Sequence, residues 1–194
     1  MKVFNLSLHR TGTQSFISYM KLCGFNTQHW PGKMFDKACN AAIESLDYNF
    51  CYKLYSSWLN DADCFADLPL PIISDALIKN YPEAKFIIIF RAADEWLRSA
   101  RKHVEKRSCD NLELLQYSLL TGEVKPHLKD YTDKEMIVGY KKFHVDLVNK
   151  LAKNKSDFIV LELDDENISG KLSSFLGIDD VIDFSEVDIT KNKK

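Results

Sequence analysis

Residues 8–15 read Leu8-His9-Arg10-Thr11-Gly12-Thr13-Gln14-Ser15, a guanidinium and hydroxyls around one glycine, directly after a short apolar run. These residue types suit an anion. Gly12 lets the backbone turn tightly, so that the amides after it point outward from a helix start. Thr11, Thr13 and Ser15 add hydroxyl donors, and Arg10 adds a permanent charge whose fork matches phosphate or sulfate oxygens. The plainer alternative is a helix cap made by Thr and Ser, with Arg10 in solvent. G-x-x-x-x-G-K-[ST] is absent, and no lysine stands where the β- and γ-phosphates of ATP need one.

A second group of polar residues follows the run Phe86-Ile87-Ile88-Ile89-Phe90: first Arg91, then Ser99 on the ensuing helix. Arg91 would emerge at the end of a strand, and Ser99 would lie in the second helical turn, facing back toward it. Trp96, Ser99 and His103 share one helix face by their spacing. The alternative is an edge arginine held by Asp94 and a surface serine. Between the two groups lies Phe65-Ala66-Asp67-Leu68-Pro69. A carboxylate at a strand end can accept a proton, although an ordinary aspartate is a weak base unless desolvated. Asp67 is equally placed to cap a helix beginning near Pro71 or to orient Arg10. His103 is a second candidate base, His9 adjoins the anion loop, and His29 and Trp30 are placed to line an acceptor pocket.

Elements that could position these groups alternate along the chain. Residues 3–8, 85–90 and 157–163 read as buried strands, with a shorter one at 63–66; the continuous apolar run 85–90 is what a parallel sheet covered on both faces requires. Residues 13–23 place Phe16, Ile17, Met20 and Cys23 on one helical stripe, with Gly24 as the stop. Further helices begin near Pro71, at Asp94, after the cap Asp110 and at the capping box Thr132-Asp133-Lys134-Glu135. A last one carries Ile168, Leu172, Phe175 and Leu176, then Gly177. This alternation predicts an α/β fold with a central, mainly parallel sheet and right-handed crossovers.

Length and composition set outer limits. A chain of 194 residues, 45% hydrophobic and 28% charged, predicts one domain over 1–194 with a full core. The formal net charge of -2 argues against a general nucleic-acid binder. Five cysteines without a C-x-x-C pair predict reduced thiols, with neither a disulfide framework nor a zinc site. No apolar run reaches the ~18 residues that span a bilayer. The expectation is a soluble, cytoplasmic protein that uses no metal and no membrane.

The segment Arg10-Thr11-Gly12-Thr13-Gln14-Ser15 resembles the 5′-phosphosulfate-binding loop of the sulfotransferase superfamily, which carries K/R-[ST]-G-[ST]-[ST] after its first strand. Gln14 stands in place of a hydroxyl residue, and Ser15-Phe16 stands where many cytosolic members have a tryptophan. The Arg91…Ser99 spacing is similar to the family's second signature, which holds a 3′-phosphate, and Asp67-Leu68-Pro69 aligns with the segment bearing the general base. The strand and helix of residues 158–177 are similar to the family's closing elements, and the tail through Lys191 to its N-V-[ST]-K-like ending.

The resemblance implies a three-layer, P-loop NTPase-like fold and 3′-phosphoadenosine 5′-phosphosulfate (PAPS) as donor, with the bisphosphate PAP as product. It assigns Arg10, Thr11, Gly12, Thr13, Gln14 and Ser15 to the phosphosulfate, and Arg91 and Ser99 to the 3′-phosphate. Lys191 is a further candidate contact with the nucleotide, beside the plainer reading of a solvated tail. Asp67 is the implied base toward a small-molecule, glycan or peptide acceptor. Segments 33–59 and 110–130 are the candidates for acceptor recognition. A non-catalytic PAPS- or PAP-binding protein and an ATP-dependent small-molecule kinase are the alternatives.

Overall fold

The computed structural model describes residues 1–32, 48–179, 183, 184 and 187. Its elements run β1 (Val3–Asn5), α1 (Thr13–Leu22), β2 (Thr27–Gln28), α2 (Tyr48–Tyr55), β3 (Cys64–Ala66), α3 (Ser74–Asn80) and β4 (Lys85–Phe90). They continue with α4 (Ala93–Val104), α5 (Asn111–Thr121), α6 (Asp133–Lys153), β5 (Asp157–Glu162) and α7 (Ile168–Leu176). The sheet order is β2-β3-β1-β4-β5, and every pairing is parallel. This is the α/β layout with a parallel sheet that the strand–helix alternation predicts, and it agrees with the P-loop-like fold that the resemblance implies.

Strand alternation divides the core between the two faces of the sheet. Phe4, Phe65, Phe86 and Ile88 point to one face, where Leu112 and Leu115 of α5 and Leu147 and Leu151 of α6 cover them. Val3, Cys64, Ile87 and Ile89 point to the other, under Phe16, Tyr19 and Met20 of α1 and Ile168, Leu172 and Leu176 of α7. Burying a large apolar side chain of this kind contributes about 1.5–3 kcal/mol each, which is why the short strands hold. A third cluster, including Leu8, Trp96, Tyr117 and Tyr140, packs α4, α5 and α6 together beyond the C-terminal end of β1.

Two sequence expectations shift at their edges. The strand expected over 3–8 ends at Asn5, although Leu6 N still donates to Ile87 O at 2.8 Å. The helix expected near Pro71 starts at Ser74, after a turn in which Ile72 N and Ile73 N donate to Pro69 O. Both capping boxes form: Asp110 with Glu113 opens α5, and Thr132 with Glu135 opens α6. The two-residue β2 and the helix α2 lie in stretches with no clear periodicity. β2 is held by its register, Thr27 opposite Cys64 and Gln28 opposite Phe65.

The sheet order places a topological switch at β1. The chain passes from β1 to β2 and β3 on one side, then crosses to β4 and β5 on the other. In open α/β sheets the crevice at such a point, beyond the strands' C-terminal ends, is where ligands bind. Residues 8–15 lie there.

Candidate active site

α1 opens on Gly12, whose φ of 84° lies in the left-handed region that glycine adopts without penalty. The absent Cβ also makes room. A methyl group built there would stand 2.4 Å from Leu163 Cδ1, just past the end of β5. The first intrahelical bond runs from Phe16 N to Gly12 O at 2.9 Å, so the amides of Thr13, Gln14 and Ser15 precede it and point out along the axis. Among the described residues no side chain caps this end, and its first turn holds no acidic residue. An anion finds donors and a favourable dipole there.

The rest of the loop is fixed from outside. Thr11 is fully buried and donates its hydroxyl to Leu8 O at 2.6 Å, so it folds the loop rather than facing a ligand. His9 is gripped at several points: its N–H donates to Gln116 Oε1, its carbonyl accepts from Trp96 Nε1 and its Nε2 meets Tyr117 Oη, each at 3.0 Å. Its Nδ1 stands 3.9 Å from Glu113 Oε1. Burial pushes the His9 imidazole down to about 4 against the pull of Asp67 and Glu113, so at neutral pH it is an uncharged clamp.

A cavity of about 710 Å³ opens beside this loop, within the range of small-molecule sites. Arg10, Gly12, Thr13, Gln14 and Ser15 form one part of its lining; His29, Trp30, Asp67 and Leu68 form another. His103, Arg107 and the start of α5, including Asp110, Asn111 and Glu113, complete it.

Asp67 follows β3 directly and has a φ of 75°, unusual for a residue with a side chain. Its Oδ1 accepts from Leu68 N at 2.8 Å and its Oδ2 lies 3.1 Å from His29 Nε2. The same ring nitrogen is 3.2 Å from Thr13 Oγ1. Burial alone would raise the Asp67 carboxyl, but His29, with smaller contributions from His9 and the Leu68 N–H, outweighs it and holds the group below the usual carboxylate range. Asp67 neither caps α3 nor contacts Arg10 by hydrogen bond; its partners are His29 and its own chain.

Glu113 is a second carboxylate of the site, and it is buried. Arg107 grips it with two bonds, 2.7 and 2.5 Å, and Asp110 N donates to it at 3.0 Å. Burial pushes Glu113 up, yet the Arg107 bonds prevail and keep it low. His103 Nε2 stands 3.5 Å away. Burial and the charges of Arg10 and Arg107 lower the His103 imidazole. Arg107 and Glu113 escaped the sequence reading because Asp110…Glu113 reads there as a helix cap, which it also is.

The residues of the second expected anchor separate. Ser99 accepts from Arg10 Nε at 3.2 Å and so belongs with the anion loop. Arg91 pairs with Glu95 at 3.1 Å rather than with Asp94, and it is not among the residues lining the cavity. Its backbone N–H and C=O are both bonded by Tyr140 Oη. Its buried Nε has no hydrogen-bond partner among the described residues. Lys191 lies outside the described residues. Among the described residues no cluster of three or more His, Cys, Asp or Glu could hold a metal ion, and no helix is long and apolar enough to cross a membrane.

A parallel sheet with a glycine-opened helix at its switch point gives the chain a P-loop-like α/β fold. Residues 2–179 match the sulfotransferase domain family, and the chain belongs to it. It is similar to Ava biosynthesis cluster protein M of Aspergillus versicolor, 34% identical over 109 residues that make up 51% of this chain and 41% of that protein. The match therefore spans less than half of that relative's length. A sulfotransferase from Alicyclobacillus acidocaldarius shares the fold at a TM-score of 0.51 and 16% identity, over 95% of this chain and 84% of that one. A shikimate kinase from Bacteroides thetaiotaomicron aligns at a TM-score of 0.49 and 9% identity over 91% and 94% of the two chains, too distant to bear on function.

Proposed function

We propose that the chain, as a single domain over 1–194, moves a sulfuryl group from PAPS to a hydroxyl or amine acceptor and releases PAP. The observation that carries this reading is the start of α1: uncapped, opened by Gly12 and facing a cavity with Arg10 on its lining. Arg10 and the Thr13–Ser15 amides and hydroxyls would hold the 5′-phosphosulfate and neutralise charge gathering on the bridging oxygen as the S–O bond breaks. Gly12 keeps the approach open, and Thr11 holds the loop's shape. Gln14 contributes its amide rather than a hydroxyl.

Arg91 and Ser99 are the candidates for the 3′-phosphate. The Arg91 Nε, unpartnered among the described residues, fits an anion, whereas Ser99 would reach one only while keeping or exchanging its bond to Arg10. Lys191 stays a candidate contact on family resemblance alone. Catalysis in this reading is positioning plus electrostatics, with no metal. Trp30 and Leu68 offer apolar surface to a small acceptor, which suits a relative named for a biosynthesis cluster. Cytoplasmic residence suits the thiols of Cys23, Cys64 and Cys109, which form no disulfide among the described residues.

Thermal unfolding with PAP and with magnesium–ATP tests the reading. Stabilisation by PAP and not by ATP is expected; the reverse result would establish a kinase instead. Transfer of radiolabelled sulfate from PAPS, abolished in Arg10→Ala, then separates an enzyme from a nucleotide-binding protein.

A further inference from the structure

We propose that His29 takes the acceptor's proton and that Asp67 positions it, so that the two act as one general base on the cavity wall. This rests on the sulfotransferase reading above. β2 and β3 pair in parallel with Gln28 opposite Phe65, so His29 and Asp67 leave the C-terminal ends of adjacent strands. Both line the cavity beside the start of α1. The carboxylate is fixed twice, by Leu68 N and by the ring. Its left-handed backbone costs about 1–2 kcal/mol, and such strain concentrates at functional sites.

An ionised carboxylate cannot donate, so His29 Nε2 carries the hydrogen in its 3.1 Å contact with Asp67 Oδ2. The lone pair is then on Nδ1, the atom that would accept a proton. The His29 side chain is 32% exposed and that of Asp67 17%, so the ring is the more open of the two. Asp67 would stabilise the imidazolium as it forms, and Thr13 Oγ1 at 3.2 Å ties the ring to the loop assigned to the phosphosulfate.

The other cavity histidines suit the role less well. An imidazolium at His103 would face the guanidiniums of Arg10 and Arg107, and Glu113 is already held by Arg107 and Asp110 N. His9 is 4% exposed and spends its Nε2 on Tyr117.

The step balances within the established family chemistry. The acceptor oxygen bonds to sulfur, the bond from sulfur to the bridging oxygen breaks, and its electron pair stays on the 5′-phosphate of PAP. The acceptor's proton passes to His29 Nδ1 and later to solvent.

The full chain is assayed with PAPS and either 2-naphthol or water as acceptor. His29→Gln is expected to lower kcat by about 100-fold or more, with PAP affinity by calorimetry within about threefold of wild type. Asp67→Asn is expected to lower kcat roughly tenfold with the KM for PAPS unchanged, and Asp67→Glu to recover part of it. Unchanged turnover in His29→Gln overturns the proposal; failure of the wild-type protein to bind PAP overturns the donor reading instead. Imidazole nitrogen NMR reads the dyad without turnover, and His29→Asn replaces His29→Gln if that variant unfolds. An Nε2–H tautomer at His29 that is lost in Asp67→Asn supports the pair. An Nδ1–H tautomer in wild type, or no response to Asp67→Asn, overturns it.

Discussion

Arg10 donates its Nε–H to Ser99 Oγ at 3.2 Å, tying the anion loop to the second turn of α4. The serine thereby aims a guanidinium that already sits on a strained backbone, with φ 68°. Ser99→Ala is expected to weaken PAP binding by about tenfold or less, the worth of one hydrogen bond of roughly 1 kcal/mol. Arg10→Ala removes the charge itself and is expected to cost about 10–100-fold. Because one residue acts through the other, the double variant should lose little more than Arg10→Ala alone. Calorimetric titration with PAP measures all three.

Arg91 offers a separate test of the nucleotide's other end. Its Nη2 is shared with Glu95, itself about half exposed, while its Nε is buried and unpartnered among the described residues. If the 3′-phosphate supplies that partner, Arg91→Ala should weaken PAP binding by about tenfold or more and leave adenosine 5′-phosphate unaffected. Equal losses for the two nucleotides would assign Arg91 to the fold, as the Tyr140 bonds to its backbone would suggest.

Gly12 combines a conformational demand with a steric one. Gly12→Ala forces a side chain to φ 84° at a cost of about 1–2 kcal/mol, and its methyl meets Leu163 Cδ1. The clash involves the far end of a side chain, so Leu163→Ala should relieve it but leave the backbone strain. Thermal unfolding of Gly12→Ala is expected to show a lower Tm, and Gly12→Ala/Leu163→Ala should not return to the Tm of Leu163→Ala.

How much of this was legible in the sequence depends on the kind of order involved. The run 85–90 and the two capping boxes are local signals, and they appear where their patterns put them. β2 is two residues long and exists through its pairing with β3, which no local pattern announces. Arg10, Asp67 and the 12–15 segment reach one cavity because parallel strands deliver their C-terminal ends to one side. The partners of these residues were not legible. Ser99 reads as a companion of Arg91 from its spacing, yet Arg10 lies across the sheet top within reach of it. Likewise His29 and Asp67 are far apart in sequence, and their contact depends on the register of two adjacent strands.

His9 predicts a specific acid sensitivity. Its folded pKa is about 4 against 6.5 in the unfolded chain, because burial disfavours the charged ring. Between those values the unfolded state binds the extra proton, so stability falls as pH falls. The contribution is intact above pH 6.5 and declines by about 3 kcal/mol by pH 4, at 1.36 kcal/mol per unit. His9→Gln is expected to be less stable at pH 8, through loss of the Tyr117 contact, and to show a flatter decline between pH 7 and 4. Urea unfolding across that range measures both. An unchanged slope would mean that the ring is not held neutral.

Glu113 should matter to stability and to the shape of the cavity together. It is 2% exposed, receives two bonds from Arg107 and one from Asp110 N, and so joins the 107–110 turn to the first turn of α5. Glu113→Gln keeps the size but loses the charge that Arg107 and His103 face. Arg107 is 39% exposed and can turn to solvent, so the cost should stay below that of a fully buried pair, at about 2 kcal/mol. Arg107→Ala removes the other partner and leaves a buried carboxylate with its capping bond and the His103 ring 3.5 Å away; the expected loss is greater, about 3 kcal/mol. The carboxyl, freed from its guanidinium, should then titrate higher. A lower Tm in both variants at neutral pH is the expected result, and as pH falls Arg107→Ala should recover part of its loss, because protonation neutralises the unpaired buried carboxylate, while Glu113→Gln has nothing to titrate there and should not; equal pH dependence would mean that Arg107 does not hold the carboxylate ionised.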